Sequence, residues 1–217
     1  MRGVVTISST FGAGGGIVGP AVAERLGLPF LDRAIPVEVA TRLAVSLDAV
    51  LAHDGRAETG MERFLATMAR LVVPMGPEPP PPDVVYAPDT YREETEAVLR
   101  RTADTTGGVI LGRAGMVVVG SRPDALCVRL DGPVEARIAQ VVRLEGMSEE
   151  AARAAQVHTD RAREAYIKTL YGVHQDDPRH YHLILDSTVL DFGTCADLIE
   201  GAARARLGLQ PTAPGQG

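Results

Sequence analysis

Cysteine is scarce: Cys127 and Cys195 stand far apart in 217 residues, which excludes a disulfide framework and any recognisable zinc-ligand spacing. Long apolar runs are missing as well. None approaches the roughly 20 residues a membrane helix needs, and the apolar stretch after Met1-Arg2-Gly3 is too brief for the h-region of a signal peptide. A cytoplasmic protein with no membrane partner is the expectation. There is no basic excess either: 22 lysines and arginines face 28 aspartates and glutamates, a formal charge of −6. That balance argues against a protein that grips nucleic acid non-specifically, although a few local arginines suffice for a small phosphorylated ligand. What remains is an ordinary globular composition, 45% apolar and 23% charged, with no internal repeat. The length suits one α/β domain with a substantial core.

Short apolar runs alternate with helical patterns along the chain. Val4 to Ser8 is β-branched and bounded by glycine-rich sequence, so it reads as a buried strand, followed by a helix over 17–27 that ends at Gly27. Leu28 to Leu31, Val109 to Leu111, Ala125 to Leu130 and Tyr181 to Leu185 are further strand candidates. Helical spacing marks 34–45, 46–53, 58–73, 89–105, a helix from Pro133, one over 148–170 and one over 194–207. Pro77 to Pro82 cannot be helix interior, so 74–88 reads as an exposed connector. The tail 208–217, rich in glycine and proline, reads as frayed. Strands alternating with helices predict a roughly five-stranded parallel sheet covered on both faces, in a single domain over 1–207.

The chemistry gathers first at Phe11-Gly12-Ala13-Gly14-Gly15-Gly16, between the first strand and its helix. Glycines let backbone amides turn inward without Cβ clashes, and a helix N-terminus adds partial positive charge, so the turn reads as an anion cradle made by Gly12, Ala13, Gly14, Gly15, Gly16 and Ile17. Position after a buried strand favours that reading over a merely flexible turn. Against the phosphate-loop pattern G-x-x-x-x-G-K-[ST], Ser9 replaces the first glycine, Gly15 the lysine, and Gly16 and Ile17 the hydroxyl residue that meets magnesium. Pro20 is a further departure, because a proline fits only the first turn of a helix.

Arginines form the second constellation: Arg113 after Val109-Ile110-Leu111-Gly112, Arg137 in Glu135-Ala136-Arg137, and Arg161 and Arg163 after Asp160. Guanidinium forks match phosphate oxygens two at a time. Arg113 stands out, since open α/β sheets place ligands at the carboxyl ends of their strands. The crowd of His174, Asp176, Asp177, His180 and His182 reads better as a polar loop entering a strand than as a metal site, with His180 and His182 sharing a face only if the strand begins there. Cys127, among alternating apolar neighbours, reads as a buried thiol.

In this order, Ile7-Ser8 through Gly16, Leu26 through Arg33, Gly112-Arg113, Leu130-Asp131 through Arg137, Asp160 through Arg163 and Tyr181 through Thr188 resemble cytidylate kinase, and more closely the cytidylate-kinase-like proteins whose glycine turn lacks the lysine. The resemblance implies an α/β three-layer P-loop fold like that of the nucleoside monophosphate kinases, with a helical insertion and connector at 34–88 and a lid region at 131–172. It implies ATP with magnesium as donor and a nucleoside monophosphate or similar small acceptor. Gly12 to Gly16 would hold the donor phosphates, Arg113 would grip the acceptor phosphate, and Asp32, with Arg33 beside it, would lie near the acceptor. Arg137 would begin the lid, and Asp160 and Arg163 would ride on it.

The sequence departs from that family where specificity and charge are concerned. Gly15 removes the main catalytic cation. Ala114 stands where a cytidylate kinase has an aspartate that reads cytosine, and Arg33 stands where the family places Thr-Gly, so the acceptor's identity does not carry over. Two readings follow: an ATP-dependent kinase for a nucleoside monophosphate or a diverged small acceptor, or a catalytically weak nucleotide-binding protein that senses or scaffolds, a homodimer among its arrangements.

Overall fold

The computed structural model describes residues 3–31 and 88–208. The helices expected over 34–45, 46–53 and 58–73, most of the connector, the tail beyond 208, and Asp32 and Arg33 lie outside the described residues. The chain divides into two compact units, one of Met1–Arg33, Leu99–Val157 and Asp176–Gly217, the other of Ala34–Val98 and His158–Gln175.

The first unit is built on strands β1 (Val4–Ser9), β2 (Phe30–Leu31), β3 (Gly108–Leu111), β4 (Ala125–Asp131) and β5 (Leu183–Asp186). They form one five-stranded sheet in the order β2-β3-β1-β4-β5. Every pairing is parallel, as the alternation of strands and helices predicts. This is the three-layer α/β P-loop fold. Helix α1 (Gly15–Leu26) follows β1, α2 (Pro88–Asp104) precedes β3, and the short α3 (Gly115–Val118) follows it. Helices α4 (Val134–Glu145) and α5 (Glu149–Tyr171, of which 158–171 belong to the second unit) come between β4 and β5, and α6 (Phe192–Leu207) follows β5.

Alternation within each strand sets the two faces. Val5, Ile7, Val109, Leu111, Leu126, Val128, Leu130 and Leu185 form one continuous core with Val18 and Val22 of α1 and Ile199 and Ala203 of α6. Each valine, leucine or isoleucine among them contributes about 1.5–3 kcal/mol through burial. Thr6, Ile110 and Cys127 occupy the opposite face, where Gly115 lets α3 come close: a Cβ there would lie 3.1 Å from Thr6 Cβ. Cys127 is fully buried, as its strand pattern predicts. With both faces covered, the strands read as near-continuous apolar runs.

Helix α1 ends as the sequence predicts. Gly27 is left-handed (φ 64°); its N–H bonds Glu24 O at 3.1 Å, and the Leu28 N–H bonds Ala23 O at 3.0 Å, the pairing of a Schellman cap. Its start differs from the expectation. The helix begins at Gly15 rather than 17, which puts Pro20 inside it. The N–H that proline lacks would have met the carbonyl of Gly16, and both residues are exposed, so no buried group is left without a partner.

The last strand also starts later than Tyr181. Pro178–His180 is a 3-10 turn capped by the Asp177 carboxylate, which accepts from the Arg179 N–H, so His180 does not share a strand face with His182. His182 instead extends the β4–β5 pairing with its side chain. Its N–H donates to Cys127 O at 2.8 Å, and its Nδ1 accepts the Cys127 N–H at 2.9 Å.

In the second unit, the Arg92 guanidinium donates to Leu170 O at 3.1 Å, and His174 meets Glu164 at 2.6 Å.

An Nδ1 that accepts a backbone N–H must be unprotonated. Burial, and after it the nearby Arg206 guanidinium, hold the His182 pKa below the ordinary histidine value. Below about pH 6.5 the unfolded chain therefore takes up the proton before the folded one does, and stability is lost as pH falls toward the depressed folded value. The urea midpoint of the wild type should drop between about pH 7 and pH 5.5 by more than that of His182→Ala. Equal drops in the two proteins would remove His182 from the explanation.

Candidate phosphate site

The turn between β1 and α1 sits at the carboxyl edge of the central strand. Thr10 fastens its start: the N–H donates to Leu130 O at 3.2 Å, and the hydroxyl donates to Asp131 Oδ1 at 2.9 Å. Gly12 (φ 79°) and Gly14 (φ 73°) take left-handed backbone that other residues adopt only under strain. Space forbids a side chain there as well. A Cβ on Gly12 would lie 2.6 Å from Arg137 O, and one on Gly14 would run into the Phe192 ring.

Every carbonyl from Thr10 to Gly14 is engaged. Thr10 O accepts the Ala13 N–H at 3.2 Å, and Phe11 O accepts Arg137 Nη1 at 2.6 Å. Gly12 O accepts Gln140 Nε2 at 2.8 Å, and Ala13 O accepts the buried Ser187 hydroxyl at 2.9 Å. Gly14 O accepts the Ile17 and Val18 N–H groups, each at 2.9 Å. Helix α1 starts at Gly14 without a side-chain cap. The Ala13 and Ile17 N–H groups are spent inside the turn, on Thr10 O and Gly14 O, so the N–H dipoles that the uncapped helix start turns toward a ligand are those of Gly12, Gly14, Gly15 and Gly16, the arrangement of an anion cradle.

Within this cradle the glycines differ in role. Gly16 is exposed with open space around it, and Ile17 is 53% exposed. Gly15 is buried: a Cβ there would lie 2.6 Å from Ser9 Cβ, 2.7 Å from Ser9 Oγ and 3.0 Å from Leu111 Cδ1. Ser9 thus fills the volume through which a lysine at position 15 would have to pass. The two departures from the phosphate-loop pattern are one exchange, in which a side chain at position 9 stands in for one at position 15.

Arg113 emerges at the carboxyl end of β3, where its strand predicts it. Ile7 pairs with Leu111, and the Gly112 N–H reaches Ile7 O at 2.9 Å, so Arg113 comes out alongside the end of β1. It is half-buried. With Ala114 it forms a left-handed turn (φ 57° and 52°) closed by the Gly115 N–H on Gly112 O at 3.1 Å. Among the described residues these are the non-glycine positions with positive φ, and each costs about 1–2 kcal/mol of backbone strain. Strain of this kind clusters at functional sites.

Arg137 stands near the start of α4, within the region expected as the lid. It is buried, and besides Phe11 O it donates through Nε to Gly132 O at 2.9 Å and lies 3.7 Å from Asp131. Asp160 and Arg163 belong to the second unit, where they pair at 3.8 Å on α5.

Sequence reasoning passed over Gln140, Ser187, Thr10, Asp131 and Arg129. Gln140 carried a signal: it lies three residues after Arg137 on the helix face that also buries Ile138 and Val141, where a polar side chain calls for a partner. Arg129 is buried on β4 with its guanidinium on Asp131 Oδ2 at 2.8 Å and 5.7 Å from the centre of the Tyr181 ring. Burial pushes the Asp131 carboxyl up, but Arg129 and the Thr10 hydroxyl outweigh this and hold it below the usual carboxylate range.

These carboxylates bear on magnesium. Asp131 is neutralised by Arg129, and Asp186 Oδ1 accepts from the Thr188 N–H and hydroxyl at 2.9 and 2.6 Å. Gly16 and Ile17 offer no hydroxyl. The cradle residues Gly12 to Ile17 themselves carry no side-chain oxygen for a magnesium ion.

A family model for the cytidylate kinase-like family matches residues 4–189, and the chain belongs to that family. A solved structure of an uncharacterised protein from Eubacterium ventriosum ATCC 27560 is similar across 94% of this chain and 99% of its own, at 17% identity and a TM-score of 0.61. That likeness supports the fold. Shikimate kinase from Acinetobacter baumannii, solved with shikimate, aligns at 15% identity over 98% of this chain and 97% of its own, with a TM-score of 0.44 that is too low to weigh. A uronate isomerase of Corynebacterium glutamicum is 30% identical over 108 residues, half of this chain, and the chain spans about a fifth of that protein's length.

The exchange between positions 9 and 15 has a measurable consequence. Gly15→Lys alone should lower stability by about 1–3 kcal/mol, the usual range for overpacking, with no gain in pyrophosphate affinity. Adding Ser9→Gly should recover most of that stability and raise pyrophosphate affinity about tenfold, since a charge-assisted hydrogen bond is worth ~1.5–3 kcal/mol. Urea melts beside calorimetric titration decide it. A Gly15→Lys chain as stable as wild type would contradict the packing of Ser9 on Gly15.

Proposed function

We propose that the protein is a nucleotide-dependent phosphotransferase that holds the donor's phosphates in the Gly12–Ile17 cradle and delivers a phosphoryl group to a small acceptor, a nucleoside monophosphate or a metabolite of similar charge. The observation that carries this reading is the cradle itself: five successive carbonyls engaged by the protein at the uncapped start of α1, in a chain of the cytidylate kinase-like family.

Phosphoryl transfer asks a protein chiefly for positioning and for positive charge around the transferring group. The backbone N–H groups of the cradle and the α1 dipole bind and orient the donor phosphates. Arg113, on its strained turn beside the end of β1, grips the acceptor phosphate and offsets charge developing between the two substrates. Asp160 and Arg163 serve on the lid, as the family resemblance implies. Magnesium enters with the nucleotide as part of the substrate, carried on phosphate oxygens. Cys127 and Cys195 are free and buried, which suits a reducing cytoplasm, and no helix among the described residues is long and apolar enough to cross a membrane.

One observation favours the second reading, a nucleotide-binding protein with little turnover. Ser9 packed on Gly15 leaves the loop without a cation of its own, and such electrostatic stabilisation of the transition state is typically worth about 3–4 kcal/mol.

A coupled ADP-release assay with ATP, magnesium and a panel of nucleoside monophosphates and small metabolites separates the two. As a phosphotransferase, the wild type releases ADP with one acceptor class. Arg113→Ala then raises that acceptor's half-saturating concentration at least tenfold, and Arg163→Ala lowers turnover much more than ATP affinity, because lid contacts form mainly in the closed complex. ADP release at background with every acceptor, beside calorimetric ATP binding, would establish the binding protein instead.

A further inference from the structure

Three successive carbonyls of the loop are each tied by a side chain from elsewhere in the chain. Arg137 Nη1 takes Phe11 O at 2.6 Å, Gln140 Nε2 takes Gly12 O at 2.8 Å, and Ser187 Oγ takes Ala13 O at 2.9 Å. None of the three donors is accidental surface. Arg137 is 4% exposed, Gln140 7% and Ser187 1%. Arg137 and Gln140 stand one helical turn apart on the buried face of α4, beside Ile138 and Val141, and Phe11 packs its ring against that same cluster. Ser187 follows β5, and its hydroxyl also lies 3.3 Å from Asp131 O.

We infer that Gln140 and Ser187, together with Arg137, are positioning residues for phosphate binding: they fix the orientation of the Phe11, Gly12 and Ala13 peptides so that carbonyls stay turned to the protein and N–H groups face the polyphosphate. The inference rests on the cradle being a phosphate site. Its physical ground is the freedom of the loop. Gly12 and Gly14 lie in left-handed backbone that glycine leaves as readily as it enters. A single peptide flip there turns an attractive N–H dipole into a carbonyl directed at an anion. A phosphate loop with a lysine has a cation to hold ligand and loop together; this loop has none, so its peptide orientations depend on donors that arrive from α4 and from the end of β5. Side-chain donors of fixed direction do what a hydrophobic contact cannot, since they distinguish a carbonyl from an N–H.

Gln140→Met keeps the length and volume of the side chain and removes its donor without adding charge. Inorganic pyrophosphate and ADP, titrated calorimetrically, should bind this variant about five- to tenfold more weakly than wild type, the loss expected for one buried hydrogen bond of about 1 kcal/mol, with a urea midpoint close to wild type. Ser187→Ala tests the second donor independently. Gln140→Glu adds a pH readout. Ionised, it can only accept and should bind more weakly still near pH 7.5, and its affinity relative to wild type should recover toward pH 5 as a protonated carboxyl regains a donor. Pyrophosphate and ADP bound equally well by wild type, Gln140→Met and Ser187→Ala would overturn the inference alone. Losses of affinity that match equal losses of stability, or a Gln140→Glu ratio flat with pH, would overturn it as well. A wild-type chain that binds neither ligand would overturn the phosphate site together with it.

Discussion

Because the phosphate loop carries no cation, its shape is imposed by hydrogen bonds to its carbonyls, and much of the surrounding architecture is arranged to deliver them. Thr10 is tied to the end of β4 through Leu130 O and Asp131. Arg137 and Gln140 come from the helix that leaves β4, and Ser187 from the segment that leaves β5. With about 1 kcal/mol net for each such bond, the set offsets several kcal/mol of glycine backbone entropy.

The strand order explains how three distant segments meet at one turn. With β1 at the centre, β3 and β4 flank it and β5 lies beyond β4. Parallel pairing brings all carboxyl ends to one edge, so residues at or just past strand ends converge there: Ser9 at the end of β1 and Thr10 after it, Arg113 after β3, Asp131 at the end of β4, Ser187 after β5. Arg129 then has a structural task. Its buried guanidinium holds Asp131 ionised between Thr10 and Arg137, and an acceptor fixed there orients both the threonine that starts the loop and the arginine that grips Phe11 O. A buried pair of this kind is a poor source of net stability, yet loss of one partner is costly because the other charge stays behind.

Much of this was legible in the sequence. The β-branched run, the glycine cluster and Gly27 place β1, the loop and the end of α1, because strand propensity, turn chemistry and capping agree there. Arg113 is found at its strand end for the same reason. The start of α1 was missed by two residues, since Gly15 and Gly16 carry no helical signal. The short α3 was missed because Gly115 serves the close approach to Thr6 rather than any helical preference. His182 read as the interior of a strand, and its imidazole bond to the Cys127 N–H has no sequence signature. The outward carbonyls were out of reach altogether: which donor meets which peptide oxygen depends on long-range register. Arg137, which the family resemblance puts at the start of the lid, is buried with Gly132 O and the loop's Phe11 O as acceptors, partners its position after β4 does not reveal.

The loss of the lysine and the strain at Arg113 belong to one electrostatic problem. A serine at position 9 and a glycine at position 15 close the route by which a cation would reach the phosphates from α1. The arginine at the nearest strand end is Arg113, for β3 is adjacent to β1. A strand end followed by ordinary right-handed backbone would continue directly into α3. The left-handed turn at Arg113 and Ala114 interrupts that path and holds the arginine at the edge of the sheet, at about 1–2 kcal/mol for each residue. The fold tolerates this because Ala114 is buried and the turn is closed by its own backbone bond.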